Sequence, residues 1–130
     1  MICLDSDCII DFLRGKEEAI RIVERHKEEL VSTEINIFEV FFGIYNKRNM
    51  SDNERNVAKN FFNSIPILHF NEGCGELAAK ILSNLLKEGK VIEQNDCFIA
   101  ATIMENDCNK IITRNEAHYK RIKGIEILRY

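Results

Sequence analysis

The feature that most limits what this chain can fold into is an alternation of two periodicities. Short β-like runs at Ile2–Leu4, Leu30–Ser32, Ile65–Phe70, Lys110–Thr113 and Ile125–Leu128 are separated by longer stretches whose apolar residues recur with helical spacing. Strands that alternate with helices predict an α/β domain with a mostly parallel central sheet flanked by helices. With 130 residues and 45% hydrophobic content, one domain spanning 1–130 around one core is expected. Ser51 followed by Glu54 opens a helix in capping-box fashion, with Val57, Phe61 and Phe62 on its apolar positions. A further helix from about Asn71 carries Leu77, Ile81 and Leu85 on one stripe and stops at Gly89. The mixed charges from Arg21 to Glu29 suit a solvated helix face.

Composition narrows the function classes. The formal net charge of −3 lacks the global basic excess of a protein that coats nucleic acid, so any role on RNA needs a local basic site. The chain starts directly with strand-like Ile2-Cys3-Leu4, without a basic leader, and no apolar run reaches membrane-spanning length; a cytoplasmic protein with no membrane partner is expected. Cys3, Cys8, Cys74, Cys97 and Cys108 form an odd set without Cys-x-x-Cys spacing, which suggests buried small hydrophobes rather than disulfides or a zinc site. His26, His69 and His118 make no paired ligand motif and are not expected to bind metal.

Ligands of parallel α/β sheets collect outside the carboxyl ends of the strands, so residues directly after each strand carry the most weight. Asp5 and Asp7 follow the first strand, where an N-cap role for the helix through Ile9, Ile10 and Leu13 competes with a catalytic one. Glu39 lies in Ile35-Asn36-Ile37-Phe38-Glu39-Val40-Phe41-Phe42, a helix apolar enough that most of its circumference should be covered. Its carboxylate needs a partner there, unless Asn36, Glu39, Gly43 and Asn46 form a narrow polar window to water. Asp96 opens the helix Asp96–Met104 on the same face as Ile99, Ala100 and Ile103, and helix capping is again the competing role. Thr113, Arg114 and Asn115 sit at another strand end, with a plain β-turn as the alternative for Asn115. Several carboxylates in one pocket repel each other and recruit a divalent cation. Magnesium suits them, since it takes oxygen ligands, keeps several waters and bridges to a substrate phosphate, and manganese is the natural substitute.

At these positions the chain resembles the PIN-domain family and, within it, the VapC-type toxins. Leu4-Asp5-Ser6-Asp7 is similar to that family's opening Leu-Asp-Thr-Asn, Asp96-Cys97-Phe98-Ile99-Ala100-Ala101 to its Asp-x-x-Ile-Ala-Ala signature, and Thr113-Arg114-Asn115 with His118-Tyr119 to its closing Thr-x-Asn/Asp…Phe segment. The resemblance spans nearly the whole chain and implies a PIN-like three-layer sandwich. It also implies a magnesium-dependent endoribonuclease that cleaves RNA phosphodiester bonds as the toxin of a toxin–antitoxin pair, forms a homodimer and is held inactive by a cognate antitoxin. Asp5, Asp96 and Glu39 would hold the metal, and Asn115 would complete the catalytic set. The chain departs from the family where members often carry acids, at Asn115 and His118, which puts a second metal site in question; Asp7 and Glu116 are the remaining sources of charge. Arg14, Lys16, Lys47, Arg48, Thr113 and Arg114 are candidate substrate contacts, though as surface residues the cations need no function. The aromatic residues Phe38, Phe41, Phe42, Tyr45, Phe61 and Phe62 suit core packing first and a docking surface second. Two other readings stay open: a phosphatase of the haloacid-dehalogenase type, from Asp5-Ser6-Asp7, and a non-catalytic PIN-like binding module, from Asn115.

Overall fold

Five short strands form the centre of the molecule, in a computed structural model that describes residues 1–130. They are β1 (Ile2–Leu4), β2 (Leu30–Thr33), β3 (Ile67–Leu68), β4 (Lys110–Ile112) and β5 (Glu126–Leu128). Their order across the sheet is β3-β2-β1-β4-β5, and every pairing is parallel, so the mostly parallel sheet expected from the sequence is wholly so. Cys3 registers with Val31 on one side and Ile111 on the other. Successive strand residues point to opposite faces. Accordingly Cys3, Val31 and Ile111 belong to one buried cluster and Ile2, Leu4, Leu30 and Ile112 to another.

Helices cover both faces, giving the three layers. α1 (Ser6–Leu13), α2 (Glu17–His26), α3 (Glu34–Tyr45) and α4 (Asp52–Asn63) supply Ile9, Ile22, Val40 and Phe62 to the second cluster. α5 (Glu72–Lys87) and α6 (Gln94–Glu105) supply Ala78, Leu85, Ile99 and Ile103 to the first, and the short α7 (Glu116–Tyr119) adds Tyr119. Local chemistry sets their ends. Thr33 and Asn36 close a capping box at the start of α3, and the Ser51 hydroxyl accepts from the Glu54 N–H at the start of α4. Gly89, at φ +72°, follows the end of α5 in a conformation that favours glycine. All five cysteines are buried and free. No helix is long and apolar enough to cross a membrane.

Three expectations need correcting. The third strand is two residues long, not six: Pro66 has no N–H to give, and the Phe70 N–H donates to the Glu34 carboxylate at 3.0 Å rather than to a strand. α6 starts at Gln94, two residues before Asp96, so Asp96 lies within the first turn and is not its cap. Of the aromatics expected in the core, Phe41, Phe61 and Phe62 do pack there, but three on α3 do not: Phe38, Phe42 and Tyr45 are 58%, 57% and 55% exposed. Asn36, Val40 and Ile44 face inward at four-residue intervals, and Phe38 and Phe42, each two residues further on, therefore point to the opposite side of a helix that turns about 100° per residue.

Core and surface positions should respond accordingly to truncation. Ile111→Ala, at a site with no exposure, is expected to cost about 3–4 kcal/mol in urea unfolding, and Phe38→Ala less than about 1 kcal/mol. A similar loss from both would show that the α3 aromatics are packed after all.

Candidate functional site

β1 delivers Asp5 to the carboxyl edge of the sheet, where the carboxylate does two jobs. It caps α1 by accepting from the Ser6 N–H at 2.9 Å, so the N-cap reading of Asp5 was correct as far as it went. The same carboxylate is also gripped from two other segments: Thr113 Oγ1, just past β4, donates to Oδ2 at 2.7 Å, and Asn36 Nδ2, in the first turn of α3, to Oδ1 at 3.2 Å. Asn36 is fully buried and spends its other contacts on Ser6 Oγ (2.9 Å) and on Thr33 Oγ1, which donates to its carbonyl at 2.6 Å. Ser6 Oγ in turn donates to Glu39 Oε1 at 2.7 Å, and Asn95 Nδ2 reaches Glu39 Oε2 at 3.5 Å. One amide thus links the supports of two acids.

Asp96 is held separately. Asn115 Nδ2 donates to its Oδ2 at 2.9 Å, His118 Nδ1 lies 2.6 Å from the same oxygen, and the buried Tyr119 hydroxyl is 3.4 Å from Oδ1. With Asp96 ionised, the His118 contact requires a proton on Nδ1. Asp7 accepts from the Arg114 backbone N–H at 2.8 Å. Residues 113, 114 and 115 therefore contact Asp5, Asp7 and Asp96 in turn.

These side chains surround a cleft of about 260 Å³ lined by Asp5, Ser6, Asp7, Glu39, Glu93, Asn95, Asp96 and Asn115, five of them acidic and none cationic or apolar. Burial pushes the Asp5 carboxyl up to about 7, and the charge of Asp7 adds to it, against the hydrogen bonds from Thr113 and Ser6. Burial likewise raises Glu39, opposed by Ser6 and Asn95, and Asp96, opposed chiefly by His118. A wall of desolvated carboxylates without a counter-charge fits a hard divalent cation. No three Asp, Glu, His or Cys side chains stand close enough together to hold a metal ion unaided, so waters would have to complete the coordination of an ion placed here.

Asp5, Glu39, Asp96 and Asn115, expected as the catalytic set, are thus brought together. The expected substrate contacts are not: none of the six lines this cleft. Thr113 is buried and its hydroxyl is committed to Asp5. Arg114 and Lys16 both pair with the buried carboxylate of Asp11, each at 3.0 Å, and Lys47 pairs with Glu54. Arg14 and Lys47 line a different groove, between α1, α3 and α4, and Arg48 sits in the exposed turn after α3. Glu116 is paired with Lys120 and Arg129 outside the cleft, whereas Asp7 does line it. With no lysine at the cleft, the phosphatase alternative lacks the cation it would need. Glu93 and Asn95 went unremarked in the sequence, and Ser6 was noted only as part of the Leu4–Asp7 motif and given no role; Glu93 and Asn95 lie within three residues of Asp96, which is the only local signal they carry.

Comparison with known proteins agrees with the fold. Ribonuclease VapC3 of Methanocaldococcus jannaschii is 28% identical over 98 residues, covering 75% of this chain and 93% of that protein. Among solved structures, VapBC2 from Rickettsia felis, bound to a DNA fragment from its promoter, superposes with a TM-score of 0.87 at 17% identity over 100% of this chain and 99% of the other. A toxin–antitoxin complex from Klebsiella pneumoniae gives 0.78 at 18% identity over 97% and 96% of the two chains. The PIN-domain profile matches residues 2–124, and with the fold and the acidic cleft in agreement, the chain belongs to the PIN-domain family.

Proposed function

We propose that this chain is a magnesium-dependent endoribonuclease, a single nuclease domain over residues 1–130 that serves as the toxin of a VapBC-type toxin–antitoxin pair. The observation that carries this reading is the cleft: five carboxylates and no cation at the carboxyl edge of the sheet of a PIN domain. Asp5, Glu39 and Asp96 would hold the ion, with manganese as a substitute. When bound, the ion supplies Lewis acidity toward a phosphate oxygen and a water of lowered pKa.

The chain's own residues prepare that chemistry. Asn36 and Thr113 hold Asp5 by one oxygen each, and Ser6 fixes Glu39, so neither acid has to be reoriented when substrate arrives. Asn115 spends its amide nitrogen on Asp96, which leaves its carbonyl as an acceptor for a water in the cleft. His118 donates to Asp96 and partly offsets the cost of burying it. The reaction takes place in the cytoplasm, and a cognate antitoxin is the expected regulator. The exposed Phe38, Phe42 and Tyr45 supply apolar surface for a homodimer or for that antitoxin. Sedimentation of the purified chain as a strict monomer would remove the homodimer from this reading.

Cleavage of a structured RNA pool in magnesium should be lost in EDTA and fall to background in both Asp5→Asn and Asp96→Asn. Cutting that survives either substitution would refute the assignment of the site.

Stability offers a second test that needs no substrate. Folded Asp5 keeps its proton up to about pH 7, whereas an unfolded aspartate releases it near about 3.9, so between these values the folded state binds more protons. Stability of the metal-free protein should therefore fall as pH rises through that window, by at most about 1.4 kcal/mol per pH unit from this group, and level off above it. Glu39 and Asp96, also raised, act in the same direction. Asp11, which is lowered, contributes its change at more acidic pH. Thermal unfolding should show the fall in EDTA, a smaller one in Asp5→Asn, and the largest stabilisation by magnesium or manganese near neutral pH. A profile that is flat in EDTA would mean that Asp5 ionises normally.

A further inference from the structure

Four cations that make no ion pair, Lys80, Lys87, Arg121 and Lys123, gather in a place not anticipated from the sequence. Lys80, Asn84 and Lys87 recur at four- and three-residue intervals along α5 and form one wall of a groove of about 480 Å³. Arg121 and Lys123, in the turn after α7, form the other. Glu88, the one acid in the lining, is already paired with Lys90 at 2.9 Å. Elsewhere the chain's exposed cations are commonly neutralised, as Lys16 and Arg114 are by Asp11 and Lys47 by Glu54. Four unpaired cations against one spent carboxylate make this groove a site for a polyanion in a protein whose net charge is −3.

Its position says which polyanion. The segment from Glu88 to Glu93 leaves α5 beside the groove and ends in the wall of the acidic cleft, and the Arg121 guanidinium donates to the Val91 carbonyl within it. Five residue steps span at most about 18 Å even when fully extended, so the two sites lie within a few nucleotides of one another. An acidic cleft repels an approaching strand, and a neighbouring basic groove can hold one against that repulsion. We propose that the groove formed by Lys80, Lys87, Arg121 and Lys123 binds the phosphodiester backbone of an RNA strand whose scissile bond lies in the cleft. This rests on the ribonuclease reading for the substrate class, while the phosphate-binding chemistry stands on the groove itself.

The test compares wild type, Lys80→Gln/Lys87→Gln and a charge-matched control, Arg25→Gln/Lys27→Gln. Binding of a fluorescein-labelled single-stranded RNA is measured in EDTA across a range of salt concentrations, and cleavage of the same RNA in magnesium. Each single-strand phosphate contact contributes about 0.7 to the slope of log K against log salt, so the groove variant should lose about 1.4 of the wild-type slope and the control none. In magnesium the groove variant should show a raised KM with kcat retained. A wild-type slope in the groove variant overturns the proposal whether or not RNA is cut. The same unchanged slope, together with loss of binding to polyglutamate, would assign the groove to an acidic protein instead and would equally overturn it. Failure of the ribonuclease reading looks different: no magnesium-dependent cutting by wild type, while the groove variant still loses its share of the slope.

Discussion

Asp5 is a carboxylate placed where ionisation is costly and held there by three hydrogen bonds from three segments of chain. Much of the architecture serves that placement. In the order β3-β2-β1-β4-β5, β1 lies at the centre, and the chain must cross from one half of the sheet to the other between β3 and β4. Such a reversal opens a crevice at the carboxyl ends of the two adjacent strands. Asp5 follows one of those strands and Thr113 the other, and the 2.7 Å bond between them spans the crevice. Asn36, from the helix after β2, closes the arrangement on the remaining side. The three supports are neutral, so they orient Asp5 without removing the electrostatic demand that its burial creates.

How much of this was legible in the sequence depended on whether the cause was local. Asp5 after an apolar run, Glu39 in an apolar helix and Asp96 on the face of Ile99 and Ile103 could be read because a polar residue against an apolar period is visible within a few positions. The layers followed from the same periodicity, and the buried cysteines from their composition and spacing. Pairings between distant residues were not visible. Nothing near Thr113 says that its hydroxyl will be consumed by a residue 108 positions away, so it looked like a substrate contact. Arg114 looked free because Asp11 is on another element, and Lys80 and Lys123 carry no signal in the sequence because the groove they share exists only after α5 packs beside the turn following α7. Phe38 and Phe42 failed for another reason. Hydrophobic content identifies α3 as apolar, but which side of it has neighbours is decided by the helices around it.

The acids of the cleft are not equivalent, and the difference lies in their donors. Asp96 receives an amide and an imidazole on one oxygen, at positions where members of the family that this chain resembles often carry further carboxylates. Asn115 and His118 thus reduce the negative charge on that side of the cleft and give Asp96 a donor that favours its ionised form. Asp5 has Asp7 beside it and only neutral donors, and Glu39 is supported by a hydroxyl and a distant amide. Repulsion is therefore greatest on the Asp5 side, which is also the side whose acid is held from three segments of chain. An ion held by these acids would therefore offset the most repulsion beside Asp5 and Asp7, while Asp96, whose Oδ2 is already shared by two donors, would bring it less uncompensated charge. The asymmetry lies in what each acid would gain from a shared ion, since the donors of Asp96 already supply part of what Asp5 and Glu39 lack.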